Sequence, residues 1–171
     1  VEPVPFTARV LMNTTLPAPD RQALVDFHKR VAEIQRTVLG TQRFAGELWE
    51  RMQLVDKALA ITPEAEPDLR ERWLQMRDRM LEINRRLNGD PTISKHNGNQ
   101  LPSIVGRIQY LMYFIWRSTS APALQHLREA DRTVTELMPV LEELRQLHDV
   151  ELRNLEMELE QLRAPWTPGR V

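Results

Sequence analysis

Histidine is the residue type in this 171-residue chain best suited to metal binding or acid–base chemistry. None of the histidines forms His-Glu-x-x-His, and no Glu-x-x-His is present, so the ligand patterns of zinc peptidases and di-iron bundles are missing. His126 and Glu129 form only an ordinary i,i+3 helix pair. With no cysteine to supply a thiolate, the sequence predicts no metal site and no cofactor site. The four histidines are His28, His96, His126 and His148.

Carboxylates are numerous near the C-terminus, where ten acidic residues and five arginines lie between Pro122 and Arg163. Glycoside hydrolysis requires two carboxylates that face each other across a sugar-binding cleft. Here the acids stand at helical spacing from arginines, as Glu142 does from Arg145, which is typical of a solvated helix face. Glycine-rich phosphate loops and the nucleophile elbow G-x-S-x-G are also missing. The sequence therefore predicts no catalytic residues and a protein that is not an enzyme.

The aromatic segment G-R-I-Q-Y-L-M-Y-F-I-W-R, residues 106–117, is apolar on all sides of a helix. One interpretation is a central helix buried within a bundle. The other is a surface that docks a second protein domain, because Trp and Tyr are common in binding hot spots. Nucleic-acid binding is disfavoured, since only Arg107 and Arg117 flank the rings and the net charge is −1. The candidate interface residues in this segment are Tyr110, Tyr113, Phe114 and Trp116.

Two apolar seams of heptad type must position this segment. The first predicts a long helix from Pro19 until Thr62-Pro63 breaks it, and the second predicts a helix that ends at Asn88-Gly89. The first seam comprises Leu24, Phe27, Val31, Ile34, Val38, Thr41, Ala45, Leu48, Met52, Val55 and Leu59. The second comprises Leu69, Trp73, Met76, Met80, Ile83 and Leu87.

Two more helices are predicted after a loop at residues 90–100, which is rich in turn-forming residues. The third helix has Pro102 in its first turn and ends at about Arg117. The fourth has Ser120 as its N-cap, extends to Arg163 and is kinked by Pro139. Its apolar rhythm slips after Leu144 and resumes at Leu152; before the slip the predicted core positions are Leu127, Ala130, Val134, Leu137, Leu141 and Leu144.

These elements predict an all-α fold, an elongated antiparallel helical bundle of three to four helices. Residues 1–17, with two prolines, are predicted to be an extended connector, residues 18–163 the bundle domain, and residues 164–171 a non-helical tail. The longest apolar run has seven residues, from Tyr110 to Trp116, far below the roughly 20 that a membrane span needs. Because the first residue is Val1 and no signal-peptide pattern follows, we expect a processed product or part of a longer protein.

The tail A-P-W-T-P-G-R-V carries two further candidate interface residues, Trp166 and Arg170. Pro165 is expected to stop the last helix and Pro168-Gly169 to form a turn. Trp166 would then cover the end of the bundle or a neighbouring domain, and burying its indole would contribute roughly 2–3 kcal/mol. The alternative is that the tail is a disordered linker.

Three stretches, L-P-S-I-V-G-R-I-Q-Y-L, S-T-S-A-P-A-L-Q and A-P-W-T-P-G-R, together resemble the C-terminal helical region of bacterial sortilin-like β-propeller proteins. Those proteins are often labelled glycosyl hydrolases. The resemblance covers roughly residues 18–170 and implies an exported or periplasmic bacterial protein whose partner is a β-propeller domain or another protein subunit. The propeller's own Asp-box repeats, S-x-D-x-G-x-T-W, are absent here, so the resemblance carries over only to the accessory bundle.

The sequence therefore favours a non-catalytic helical interaction or scaffolding module, either the accessory domain of such a protein or a separate subunit of a larger complex. One alternative is part of a glycoside hydrolase whose catalytic propeller lies outside this chain. A second alternative is a self-associating coiled-coil scaffold, which the heptad spacing of residues 24–59 suggests.

Overall fold

The computed structural model describes residues 3–8, 16–96 and 98–165. Over these ranges the chain is helical and contains no strand, which confirms the predicted all-α bundle. Residues 3–8 have no regular secondary structure and are exposed to solvent. The helical elements are α1 (Arg21–Ala60), α2 (Pro67–Asn88), α3 (Pro91–Lys95), α4 (Ile104–Arg117), α5 (Leu124–Arg145), a π-helical segment (Gln146–Leu152) and α6 (Arg153–Gln161).

Helix α1 forms where the first seam predicts it. The Asp20 side chain accepts a hydrogen bond from the Ala23 backbone N–H, and this cap satisfies one of the donors that a helix start leaves free. Every position of the predicted seam is buried except Leu24, which is half-buried. All six positions of the second seam are buried on α2. The two seams therefore face each other in one core.

The helices form three rods, and side-chain pairs show their directions. Arg30 bonds Asp131 and Arg51 bonds Glu156, so the third rod, built from α5, the π segment and α6, is parallel to α1. Helix α2 is antiparallel to the third rod, because its residue numbers rise while those of its partners fall, from the pair Arg72–Glu158 to the pair Arg86–Glu143. Helix α4 is also antiparallel to α5. The second rod is thus divided into α2 and α4.

The break between α2 and α4 differs from the predicted loop at residues 90–100. Gly89 ends α2 at φ 85°, a conformation that a side chain would strain. The short helix α3 follows because the Asp90 carboxylate accepts from the Thr92 and Ile93 backbone N–H groups. The hydrogen bond from Thr92 also lowers the pKa of Asp90. Segment 90–100 therefore contains a helical turn, and the prediction of a continuous loop was wrong.

The caps of α4 and α5 also differ from those predicted. Helix α4 begins at Ile104, since the Ser103 hydroxyl accepts from the Gly106 N–H at 3.1 Å, and Pro102 lies before the cap. Helix α5 has Ala123 as its N-cap rather than Ser120. The Ser120 hydroxyl instead donates to the Leu16 carbonyl at 2.8 Å. This bond ties the end of the N-terminal segment to the turn between α4 and α5.

The third rod accommodates the rhythm slip with its π segment. The buried positions step from Leu144 to Leu147, then by five residues to Leu152 and on to Leu155. Core positions of an α-helix are three or four residues apart, so a step of five shows that this turn contains one extra residue, as a π-helical turn does. Before the slip, the prediction of Val134 as a core residue was wrong, because it is 37% exposed. Thr133 and Val140 are buried instead.

Thr133 occupies the core position of α5 that was predicted for the neighbouring Val134. Its hydroxyl donates to the Glu129 carbonyl at 2.7 Å, so the side chain meets its hydrogen-bonding need within its own helix. A buried threonine can then stand where the pattern expects an aliphatic residue. The buried positions of α5 therefore differ from the predicted ones by one residue at every second position of the pattern.

The spacing of the ion pairs between α2 and the third rod shows the same extra residue. The arginines Arg72, Arg79 and Arg86 are seven residues apart, and their partners are Glu158, Glu151 and Glu143. The glutamates are separated by seven and then by eight residues. The extra residue falls inside the π segment, which therefore keeps the two rods in register.

Deletion of Val150 tests this account of the π segment. Val150 is 43% exposed, and removing one residue lets the segment become ordinary α-helix with its flanks unchanged. We expect a loss of less than about 1 kcal/mol in the free energy of unfolding. Urea denaturation followed by circular dichroism measures it.

Deletion of Leu39 from α1 is the matched control. Leu39 is 44% exposed, but α1 has no extra residue to absorb the change, so one side of the deletion rotates by about 100° relative to the other. This variant should not fold. Equal damage from both deletions would contradict the register argument.

The C-terminal end of the third rod is closed by a left-handed residue. Arg163 has φ 55°, and the Ala164 N–H donates to the Leu159 carbonyl at 3.0 Å, which is the long bond of a Schellman motif. Helix α6 therefore ends at Gln161, ahead of Pro165, which was predicted to stop it. Trp166 and Arg170, the candidate interface residues of the tail, lie outside the described residues.

Candidate interaction surface on α4

Helix α4 presents two contrasting faces. Its inner face is buried in the bundle core by Ile104, Val105, Ile108 and Leu111. Residues at i, i+3 and i+7 share a helix face, so Tyr110, Tyr113 and Arg117 lie together, and Trp116 lies beside them on the last turn. The apolar residues on all sides of α4 therefore fall into two groups. One group packs against α1 and α5, and the other is exposed to solvent.

Three of the four predicted aromatic residues face outward. Tyr110 is 44% exposed, Tyr113 is 56% exposed and Trp116 is 79% exposed. Phe114 is half-buried and stacks on the His126 ring with centroids 3.7 Å apart. Phe114 therefore lies behind the three exposed rings rather than beside them. We call the exposed set Tyr110, Tyr113, Trp116 and Arg117 the α4 surface.

Arg117 is a member of this surface that the sequence analysis missed as an interface residue. Its guanidinium carbon lies 4.3 Å from the Tyr113 ring centroid, and its Nη1 donates to the Tyr113 hydroxyl at 2.6 Å. The i,i+4 spacing of a tyrosine and an arginine could have indicated the pair. The contact holds the Tyr113 ring in one orientation and places a positive charge at the edge of the surface.

His126 was also interpreted differently from its position in the structure. Its predicted partner Glu129 instead accepts from buried Arg107 at 3.0 Å. The His126 Nδ1 accepts from the Ala123 backbone N–H at 3.1 Å, and its Nε2 lies 3.3 Å from the Tyr110 hydroxyl. Neutral His126 with its proton on Nε2 can make both bonds. The ring therefore caps α5 and supports Tyr110.

The position of His126 predicts a pH dependence of stability. Burial lowers the pKa of His126, so the folded chain binds a proton less readily than the unfolded chain. The stabilisation is then fully present above the unfolded value of about 6.5 and is lost as pH falls through the lower folded pKa. We expect unfolding midpoints to drop between pH 7.5 and 5, with part of that drop caused by His126.

His126→Gln isolates this contribution. Glutamine keeps a side-chain acceptor for the Ala123 N–H but does not titrate. Urea unfolding of both proteins across the pH range should show a smaller loss in the variant. An identical pH profile for the two proteins would show that His126 makes no such contribution.

Ala164, the first residue of the predicted tail, lies far from the α4 surface. Trp116 lies at the end of the bundle where α4 turns into α5, whereas Ala164 follows α6 at the other end. The third rod between them is about 57 Å long at 1.5 Å per residue. The part of the chain from Ala164 onward therefore starts at the end of the bundle opposite the α4 surface.

Over residues 3–8, 16–96 and 98–165, no group of three or more metal-ligating side chains is gathered at one point. No helix in that part of the chain is both long enough and apolar enough to cross a membrane. No family model, curated protein or solved structure matches the chain. The resemblance to the helical region of sortilin-like propeller proteins therefore depends on the quoted motifs alone and stays a prediction.

Proposed function

We propose that this chain is a non-catalytic helical interaction module that binds a protein partner through the α4 surface. The observation that carries the proposal is the 79% exposure of Trp116 on a helix whose opposite face is fixed in the core. An indole exposed to that extent contributes little to folding. Burying it against a partner would contribute roughly 2–3 kcal/mol to binding.

The composition of the α4 surface is that of a binding hot spot. Trp, Tyr and Arg are the residue types most enriched among side chains whose truncation weakens protein complexes. The rings lie on a helix rather than a loop, so little conformational freedom is lost when a partner covers them. The contact between Arg117 and Tyr113 fixes two of the four side chains before binding.

The N-terminal segment offers a reason to expect the partner near this surface. The Ala18 N–H donates to the Thr119 carbonyl at 3.0 Å, and Ser120 bonds Leu16, so residues 16–18 are held at the same end of the bundle as Trp116. A domain joined through this connector would be attached at the same end of the bundle as the α4 surface. The β-propeller partner implied by the sequence resemblance is thus a suitable candidate, as is a separate subunit.

The alternative of a coiled-coil scaffold has less support. The heptad seam of α1 that suggests it is already covered by α2, α4 and the third rod. Association of two chains through that seam would require the bundle to open. The glycoside hydrolase alternative assigns catalysis to a propeller outside this chain, and in that case the bundle would still act as an interaction module beside it.

Photocrosslinking in the native host tests the proposal. A benzophenone amino acid at Gln109, which is exposed and one turn from Tyr113, should capture one distinct protein. The same probe at Ile61, which is 66% exposed at the other end of the bundle, is the control and should not capture it. Adding Trp116→Ala should abolish capture at position 109. Equal capture from both positions, or capture unaffected by Trp116→Ala, would contradict the proposal.

A further inference from the structure

An open cavity of about 670 Å³ lies at the break in the second rod, within the size range of small-molecule sites. It is distinct from the α4 surface, because it adjoins the N-terminal end of α4 while Trp116 lies on the last turn. Part of its wall is apolar and comes from Ile93, Leu101, Pro102 and Pro139. Leu101 is 77% exposed, so this wall is open to an incoming molecule.

Four arginines from three helices also line the cavity, together with three carboxylates. Arg107 is only 4% exposed, and its Nε–H is buried with no acceptor among the described residues. The Nε–H of Arg86 is in the same state within that part of the chain. Buried donors of this kind are costly unless a ligand or solvent satisfies them. The four arginines are Arg85, Arg86, Arg107 and Arg132.

The start of α4 adds a second source of positive potential. Ser103 and Ile104 line the cavity, and Ser103 supplies the acceptors for the Gly106 and Arg107 N–H groups. The N–H groups of Ile104 and Val105 keep no acceptor among the described residues. A helix start with free N–H groups favours a bound anion.

The carboxylates that line the cavity are already engaged. Glu136 accepts from Arg132 at 2.7 Å and from Arg107, and Asp90 is bonded to the start of α3. Arg132 uses only its Nε for Glu136, and within the described residues its two Nη groups have no other acceptor. Arg85 lies 3.5 Å from both Glu82 and Asp90, which is long for an ion pair. Arg107 and Arg86 also bond Glu129 and Glu143, yet the buried Nε–H groups of both arginines still have no acceptor among the described residues.

We propose that this cavity binds an oxyanion, a carboxylate or a phosphate group, carried by a small molecule with an apolar body. The oxyanion accepts hydrogen bonds from the arginines and the start of α4, and the apolar body covers Leu101 and the two prolines. Arg132 is the arginine best placed to bind it from solvent, since its side chain is 52% exposed and its two Nη groups have no acceptor among the described residues.

Nuclear magnetic resonance titration of the whole chain tests this site at constant ionic strength. The probes are benzoate and phenyl phosphate, compared with acetate and inorganic phosphate. Benzoate or phenyl phosphate should shift the Arg107 Nε–H and Ile104 amide signals to saturation. Its binding should be at least about tenfold tighter than that of the matching small anion, as expected from burying roughly two methylene equivalents. The two aromatic probes distinguish a carboxylate from a phosphate.

Two variants on α5 complete the experiment. Arg132→Gln should weaken probe binding by roughly tenfold, whereas Arg128→Gln, an exposed arginine one turn away that does not line the cavity, should leave it unchanged. Shifts that do not saturate, that occur elsewhere, or that are the same in Arg132→Gln would overturn the proposal. Equal affinity for phenyl phosphate and inorganic phosphate, and for benzoate and acetate, would overturn its claim of an apolar body.

Discussion

Trp73→Ala is expected to lower the free energy of unfolding by about 3–5 kcal/mol. Trp73 is 4% exposed on α2 and packs in the core against α1. Its indole Nε1–H donates to the Met52 carbonyl at 3.1 Å, and Arg70 lies over the ring at 5.1 Å. Alanine would leave a cavity at the centre of the bundle and remove the hydrogen bond together. Urea unfolding followed by circular dichroism measures the loss.

Trp116→Ala is the matched control, since it removes the same atoms from a site that is 79% exposed. Its effect on the free energy of unfolding should stay within about 0.5 kcal/mol. Trp73→Phe keeps most of the side-chain volume, so its loss in the free energy of unfolding should lie between those of the two alanine variants. Similar losses for Trp73→Ala and Trp116→Ala would contradict the assignment of one tryptophan to the core and the other to the surface.

Glu156→Ala is expected to lower the free energy of unfolding by about 3 kcal/mol, because it breaks a largely buried ion pair. Glu156 is 4% exposed on α6 and accepts from the Arg51 Nε at 2.6 Å through one oxygen and from Nη2 through the other. The Arg51 Nη1 also lies 3.3 Å from His148 Nε2. Removing the carboxylate leaves the guanidinium, whose side chain is 24% exposed, facing the gap.

Glu158→Ala provides the comparison on the same helix. Glu158 pairs with Arg72, but its side chain is 43% exposed, so its loss should cost no more than about 1 kcal/mol. The double variant Arg51→Met with Glu156→Met should recover most of the stability, because two packed apolar side chains replace both charges. If the double variant were as unstable as Glu156→Ala, the instability of Glu156→Ala could not be attributed to an unpaired buried charge.

The sequence predicted best those parts of the fold whose position is determined by the apolar pattern alone. The seams of α1 and α2 repeat over many turns, and each step adds a buried side chain to the same face. The breaks at Thr62-Pro63 and Asn88-Gly89 were predicted because proline and glycine change the backbone itself. Local side chains thus determine these features directly.

Other features depended on contacts that no local pattern contains. The slip after Leu144 was visible, but the sequence did not show whether a kink, a break or a π turn would absorb it. The seven-residue spacing of arginines on α2 favours the π turn, because it keeps three ion pairs in register. In the same way, Ser120 was available as a helix cap, but the Leu16 carbonyl occupies its hydroxyl.

The sequence indicated some of the side chains that form the proposed α4 surface, but not their arrangement. The sequence identified the aromatic residues of α4 but not the face on which each one lies, because rings occur on every side of that helix. Phe114 is turned inward by stacking on His126, a residue of the next helix. The role of His126 as a cap depends on where α5 begins, and that start was predicted three residues too early.

The affinity of the chain for the protein captured at position 109 tests the central claim most directly. Isothermal titration should show that Trp116→Ala weakens binding by about 30-fold or more, the effect of losing one hot-spot side chain worth roughly 2 kcal/mol. The urea midpoint of the variant should match that of the unmodified chain. Leu39→Ala, a change at an exposed apolar residue outside the α4 surface, should bind normally. An affinity within twofold of the unmodified chain for Trp116→Ala would contradict the claim that the α4 surface binds the partner.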